Sequence, residues 1–342
     1  MASPLAFGRL DRTWQRGRAP ARAAACRPAF GELVAVPENP LPPGLSAGVL
    51  RTADGVGLRI AASRPAGRPR GSVLLLQGRA DFIEKYAEVI AELNARGFAV
   101  LAFDWRGQGG SQRLLPDPLR NHASGFAAFG LDLAALRAEL HRLDLPGPAI
   151  GLAHSMGAAV LLTALAREPG LVERAVVTAP MIAIAPQLRP PFAAGLTRLA
   201  HAAGFGARTI PGPSAKGMPG AVFTPDNLLT SDARRYLRSH HVLAARPQLA
   251  VGKPTIGWLH AAFAGMAGLR DPALAAALAT PLLCVAGEDD RVTHTQAAAR
   301  FVARLPCGEM LVLPGCAHDV LMERDGLRAR FWQAFDRFVA DL

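Results

Sequence analysis

The chain has 342 residues, of which 50% are hydrophobic and 19% charged, a length and balance that suit one full core carrying an insertion and exclude a disordered chain. No run reaches the roughly eighteen unbroken apolar residues of a membrane span. The net charge of +11 comes from 38 basic residues that are all arginine except Lys85, Lys216 and Lys253, scattered among alanine, glycine and proline with no basic stripe interleaved by aromatics, which argues against a nucleic-acid partner and leaves only weak attraction to anionic membrane surfaces.

Residues 1–27 hold six arginines and one acid, Asp11, without the apolar stretch of a secretory leader. They read as an extension outside the fold. Asp54-Gly55 is a hairpin-turn signal between strands at 49–52 and 56–62, giving the sheet an antiparallel start. Residues 72–77 form a short, continuous apolar run of the kind buried on both faces of a sheet. Apolar residues at helical spacing follow over 83–96, and residues 98–103 are the next buried strand. Helix 126–143, strand 149–153, helix 157–167 and strand 175–178 continue the alternation. It breaks between 180 and 279, then resumes with strand 282–286, helix 295–305, strand 309–313 and a last helix over about 327–339. The predicted class is α/β, a mostly parallel central sheet with helices on both faces. Its core comes in two parts, 28–179 and 280–342, separated by an inserted helical cap at 180–279.

The chemistry concentrates at Leu152-Ala153-His154-Ser155-Met156-Gly157, between a buried strand and a helix. A nucleophile elbow puts its serine on a tight strand-to-helix turn, with small residues two positions to either side so that neighbouring backbones can approach. Ala153 and Gly157 are those residues. In that arrangement the acid and the base follow the serine in order, at the ends of later strands. Two aspartates, Asp289 and Asp290, follow the strand at 282–286, and Asp290, fourth in the Gly-x-x-Asp turn, is preferred. Of the nine histidines only His294 and His318 lie beyond that turn. His294 is too close to the aspartates, and His318 sits in a loop between the last strand and the last helix. Ser155 is therefore the candidate nucleophile, His318 the base and Asp290 the orienting acid. An oxyanion hole needs two backbone N–H groups, and Met156 and Arg79 are the candidates.

Residues 77–86 (QGRADFIEKY), 103–111 (FDWRGQGGS), the turn at Ser155 and 227–232 (NLLTSD) resemble the bacterial lysophospholipase and monoacylglycerol-lipase branch of the α/β-hydrolases, from about residue 49 to the C-terminus. The resemblance implies hydrolysis of monoacyl lipid esters through an acyl-enzyme, without metal or organic cofactor. Gln77 stands where many members have histidine, and Ala153 where most have glycine.

The cap contains apolar stretches at 192–203 and 256–269 and a basic cluster of Arg234, Arg235, Arg238, His240 and His241, expected to be solvated. Cys26, Cys284, Cys307 and Cys316 are too few and too uneven for a disulfide scaffold, which makes a reducing cytoplasm the default. Cys307, Cys316 and His318 lack the fourth ligand of a closed zinc site. The alternatives on the same triad are a proline-type aminopeptidase, which needs an acidic group for a free amine, and an acyltransferase. A non-enzymatic binding protein would usually have lost one of the three residues, and a serine excludes the aspartate-nucleophile epoxide and haloalkane hydrolases.

Overall fold

A computed structural model of the chain describes residues 27, 29–147, 149–184, 190–210 and 222–342. The strands, in chain order, are β1 (Ser46–Arg51), β2 (Gly57–Ser63), β3 (Gly71–Leu76), β4 (Phe98–Phe103), β5 (Ala149–His154), β6 (Arg174–Thr178), β7 (Leu282–Gly287) and β8 (Gly308–Leu313). The helices are α1 (Ala87–Ala95), α2 (Ala128–Arg142), α3 (Met156–Leu165), α4 (Pro190–Ala200), α5 (Ala233–Ala245), α6 (Ile256–Leu269), α7 (Pro272–Ala277), α8 (Thr295–Val302) and α9 (Asp325–Phe338).

One eight-stranded sheet runs in the order β1-β2-β4-β3-β5-β6-β7-β8. β1 pairs with β2, and β2 with β4, antiparallel; every later pairing is parallel. β3, β4 and β7 are buried at every residue because each is an apolar run with helices on both sides. Along β3, Val73 and Leu75 enter the core shared with Val89, Ile90, Phe331 and Phe335. Leu74 and Leu76 enter the opposite core with Leu136, Val160 and Trp258. The two-residue strand period thus splits one apolar run between two cores.

Sheet order also locates the site. From β3 the chain steps to β4 on one side and later returns to β5 on the other, so the loops leaving β3 and β5 diverge and open a crevice at the carboxyl edge of the sheet. Three non-glycine residues at that edge have positive φ: Ala80 (64°), Ser155 (51°) and Ala179 (45°). Such strain persists only where surrounding contacts over-determine the backbone.

Several local expectations change. The single helix over 83–96 begins as a 3₁₀ turn, Ile83–Tyr86, whose first N–H is drawn to Asp104 Oδ1 at 2.9 Å. α4 runs on into a π-helical turn, His201–Phe205. α5, which the sequence pattern did not indicate, is capped by the Asp232 side chain accepting from Arg235 N–H. Arg27, placed outside the fold by its composition, donates to the carbonyls of Gly109 and Gln248 and lies over the Phe30 ring, so it belongs to the folded body. Residues 1–26 and Cys26 with them lie outside the described residues. Between β6 and β7, α6 packs on α3, while α5 packs on the Ile83–Tyr86 turn.

Candidate active site

Ser155 sits where β5 turns into α3. Its N–H donates to Thr178 O at 3.0 Å and its carbonyl accepts from Met181 N–H at 3.1 Å, holding the strained φ between β6 and the following loop. The turn works only because its neighbours are small. A Cβ on Gly157 would lie 2.4 Å from Gln77 O and 2.6 Å from Leu76 O, so the missing side chain is what lets α3 begin against the end of β3. Ala153 is fully buried, and its methyl is accommodated.

The candidates meet in one hydrogen-bonded chain. Ser155 Oγ lies 3.1 Å from His318 Nε2, and His318 Nδ1 lies 2.9 Å from Asp290 Oδ2. A carboxylate only accepts, so Nδ1 carries the proton and Nε2 is free to accept from the serine hydroxyl. Asp290 is fixed in turn by the N–H groups of Val292 and Thr293 and by the Thr293 hydroxyl at 2.6 Å. Burial alone would raise the Asp290 pKa. The bond and charge of His318 and the bonds from Thr293 outweigh it and hold the carboxyl below its ordinary value. Asp289 is exposed, and its N–H is spent on Cys316 O. His294 stands at the start of α8, its N–H on Ala183 O.

The loop after β3 is pinned from several sides. Trp105 Nε1 donates to Gln77 O at 2.7 Å. The Gln108 side chain donates to Gly78 O and accepts from Ala80 N–H, and Asp81 accepts from Gly78 N–H at 3.0 Å. These bonds occupy the N–H groups on either side of Arg79 and leave that of Arg79 between them. A Cβ on Gly78 would come within 3.4 Å of Ser155 Cβ, so this backbone passes close to the serine. Met156 is the first residue of α3, where N–H groups have no partner within the helix.

Sequence reasoning missed the polar chain behind this constellation. Lys85 Nζ bonds Asp81 Oδ1 and Asp319 Oδ2, each at 2.8 Å. Asp319 Oδ1 accepts from His154 Nε2 at 3.0 Å, and His154 Nδ1 lies 3.0 Å from Thr178 Oγ1. Burial lowers the His154 pKa against the pull of Asp319, which keeps the ring neutral 4.8 Å from that of His318. Burial would lower the Lys85 pKa as well, but Asp319 and Asp81 raise it above its ordinary value. The chain links the ends of β3, β5 and β8, three of the four strand ends that carry the candidates, Asp290 following β7. Its only local signals were the Asp81–Lys85 spacing of four and the histidine beside Ser155. His154, His318 and Asp319 are the one trio of ligand-type side chains within 4.8 Å of one another among the described residues, and each of these ring nitrogens and carboxylate oxygens already has a partner.

The segment between β6 and β7 reaches this centre through residues 227–232. Leu229 O accepts from Asp319 N–H at 2.6 Å, Thr230 Oγ1 donates to Met322 O, and Ser231 bonds Glu323. A cavity of about 560 Å³ opens beside Arg79, Phe82, Lys85 and Asp319 and extends under Leu228, Leu229 and Leu243. The basic cluster is not the solvated face expected of it. Arg235 is 4% exposed and paired with Glu88, Asp232 and Asp325, and Arg238 pairs with Glu88. Only Arg234 and His241 of the cluster are well exposed.

A mostly parallel sheet with helices on both faces, and a serine at positive φ between its fifth strand and the next helix, defines the α/β-hydrolase class. Residues 67–325 match the family model described as "Serine aminopeptidase, S33". The chain is 34% identical over 272 residues to "Lysophospholipase L2" of Escherichia coli K12, covering 75% of this chain and 76% of that protein. It is 30% identical over 261 residues to "Monoacylglycerol lipase" of Mycolicibacterium smegmatis, covering 75% and 83%. In structure it resembles a soluble variant of the Saccharomyces cerevisiae monoglyceride lipase (TM-score 0.67, 17% identity, 90% and 98% covered) and a Bacillus coagulans carboxyl esterase (0.70, 17%, 87% and 98%). The chain belongs to the lysophospholipase and monoacylglycerol-lipase branch of the α/β-hydrolases, a family of serine ester hydrolases.

Proposed function

We propose that this enzyme hydrolyses carboxylic esters of monoacyl lipids, lysophospholipids or monoacylglycerols, through an acyl-enzyme on Ser155. The observation that carries the reading is the hydrogen-bonded chain Ser155–His318–Asp290 at 3.1 and 2.9 Å. His318 Nε2 takes the hydroxyl proton as Oγ attacks the ester carbonyl. Asp290 holds the tautomer and stabilises the imidazolium. The N–H groups of Met156 and Arg79 bind the oxyanion. The imidazolium then gives its proton to the leaving alcohol, and water repeats the sequence to release the fatty acid.

Residues 180–279 act in this reading as a lid over a core made of 28–179 and 280–342. Support for a lipid substrate comes from the apolar walls of the cavity and from α4, where Phe192 and Leu199, 66% and 70% exposed, share a face with Leu196. An exposed stripe of this kind beside Arg198, on a chain of net charge +11, suits peripheral contact with an anionic bilayer. Among the described residues no helix is long and apolar enough to cross a membrane. Cys284, Cys307 and Cys316 are unpaired, which suits the cytoplasm. The aminopeptidase reading has less support, because the carboxylates lining the cavity, Asp81 and Asp319, are both bonded to Lys85.

The test is a panel of p-nitrophenyl esters, monoacylglycerols, lysophospholipids and aminoacyl naphthylamides, with fluorophosphonate labelling. Monoacyl esters of medium or long chain should outrun acetate esters and naphthylamides, and the label should sit on Ser155. Full activity in Ser155→Ala or His318→Ala, or a preference for a naphthylamide, would overturn the proposal.

A further inference from the structure

Most buried cations among the described residues sit against carboxylates. Arg59 is held by Glu84 and Asp104, Arg106 by Asp54 and Asp132, and Lys85 by Asp81 and Asp319. Arg79 differs. Its guanidinium donates to Gly252 O at 3.3 Å and lies 5.6 Å over the Trp258 ring, and among the described residues it makes no ion pair with a carboxylate. Burial lowers its pKa, with only the charge of Asp81 acting against the shift. A guanidinium stays protonated all the same and offers five donors, and among the described residues Gly252 O is the one acceptor it meets, while Arg79 itself lines the cavity. Arg113 also meets no carboxylate among the described residues, but it is enclosed and donates to the carbonyls of residues 248, 249 and 250.

Arg79 is also the residue whose backbone N–H points to the oxyanion in the mechanism above. One residue therefore offers a donor for the carbonyl oxygen and, at the end of its side chain, a cation that meets no carboxylate among the described residues. Backbone N and guanidinium carbon are separated by about six bonds, roughly 6–8 Å when extended. In a 1-acyl-glycerol-3-phosphate the ester carbonyl carbon and the phosphorus are likewise about six bonds apart, so the two spans match. A planar guanidinium also meets two phosphate oxygens at once, which a neutral glycerol hydroxyl cannot reciprocate.

We propose that the Arg79 side chain binds the phosphate of a monoacyl glycerophospholipid and sets the preference for lysophospholipids over neutral monoacylglycerols, an inference that rests on the ester-hydrolase reading. The test compares wild type, Arg79→Met and Arg79→Lys on a lysophosphatidylglycerol and a 1-monoacylglycerol of the same acyl chain, below their critical micelle concentrations. Rates are normalised to the sites titrated by fluorophosphonate, so that misfolded protein does not count. The ratio of kcat/KM for the phospholipid over the neutral lipid should fall at least tenfold in Arg79→Met, and Arg79→Lys should recover part of it. Inorganic phosphate at millimolar concentration should compete weakly with either substrate. An unchanged ratio in Arg79→Met, with both lipids still cleaved, would overturn the role of Arg79 alone. Strong competition by inorganic phosphate that disappears in Arg79→Met would assign the site to free phosphate instead of a lipid. Cleavage of neither lipid by wild type that still labels at Ser155 would overturn the substrate reading itself.

Discussion

Replacing Gly157 with alanine tests how tightly the start of α3 is seated against the end of β3. The new methyl carbon would stand 2.4 Å from Gln77 O, 2.6 Å from Leu76 O and 2.9 Å from Leu76 C, all of them backbone atoms. Ordinary carbon–oxygen contacts begin near ~3.3 Å, so helix and strand must separate by roughly 0.7–0.9 Å. No side chain can yield in their place. Gln77 O is itself held by Trp105 Nε1 at 2.7 Å, which passes the strain to Gly78 and Arg79, the loop proposed to bind the oxyanion. Overpacking of this kind costs about 1–3 kcal/mol of stability. A shift approaching 1 Å between nucleophile and oxyanion donors costs on the order of 10²-fold in rate. We therefore expect Gly157→Ala to lower kcat about a hundredfold per titrated site, with a modest fall in Tm. Ala153→Gly, which only removes a tolerated methyl, should stay within threefold of wild type. The assay is p-nitrophenyl butyrate hydrolysis with active-site titration, beside thermal unfolding. A Gly157→Ala enzyme within threefold of wild type would refute the reasoning, since it would mean that the loop and α3 move apart without consequence.

Asp290→Asn should lower kcat by roughly 10³–10⁴-fold, because the amide favours the wrong imidazole tautomer, while exposed Asp289→Asn stays near wild type; the reverse ranking in steady-state kinetics would make Asp289 the acid. The same variant should flatten acid unfolding. The depressed Asp290 pKa contributes stability that is present above its unfolded value near ~3.9 and lost as pH falls through the folded one, which urea midpoints between pH 2 and 6 would measure. Lys85→Met leaves two buried carboxylates without their shared cation and should cost about 3–5 kcal/mol, partly relieved when Asp319→Asn is added; additive losses in that double variant would count against the ion triad. Because the Lys85 pKa is raised, the stabilisation it brings is full below the unfolded value near ~10.4 and fades only as pH rises through the folded value, so the gap between wild type and Lys85→Met in denaturant midpoint should narrow only at strongly alkaline pH. Removing residues 1–26 should leave Tm nearly unchanged, whereas a deletion that extends through Phe30 should lower it, since Arg27 and Phe30 pack on the folded body.

Most of what the sequence determined alone is local. Buried parallel strands write themselves as short apolar runs, which is why the limits of β3, β4, β5 and β7 lie within a residue of those expected. Turn chemistry is equally local, so the small residues around Ser155, the Gly-x-x-Asp turn before Asp290 and the loop of His318 could each be located from strand ends. Chain order did the rest, because a parallel sheet brings the carboxyl ends of its strands to one edge. Helix α5 was harder to read: its residues are mostly polar and cationic, and the structure shows the apolar and ionic partners that hold it only after the chain has returned from elsewhere. Beyond the local pairs Asp81–Lys85 and Asp232–Arg235, charge pairing belonged to tertiary structure. Lys85 meets Asp319 across 234 positions and Arg235 meets Glu88 across 147, and no spacing rule reaches that far. A composition count treats every arginine as solvated, whereas the fold decides which cations it buries against carboxylates and which, like Arg79, meet none among the described residues. That decision depends on which loops the sheet order brings together, and the sheet order is a property of the whole chain.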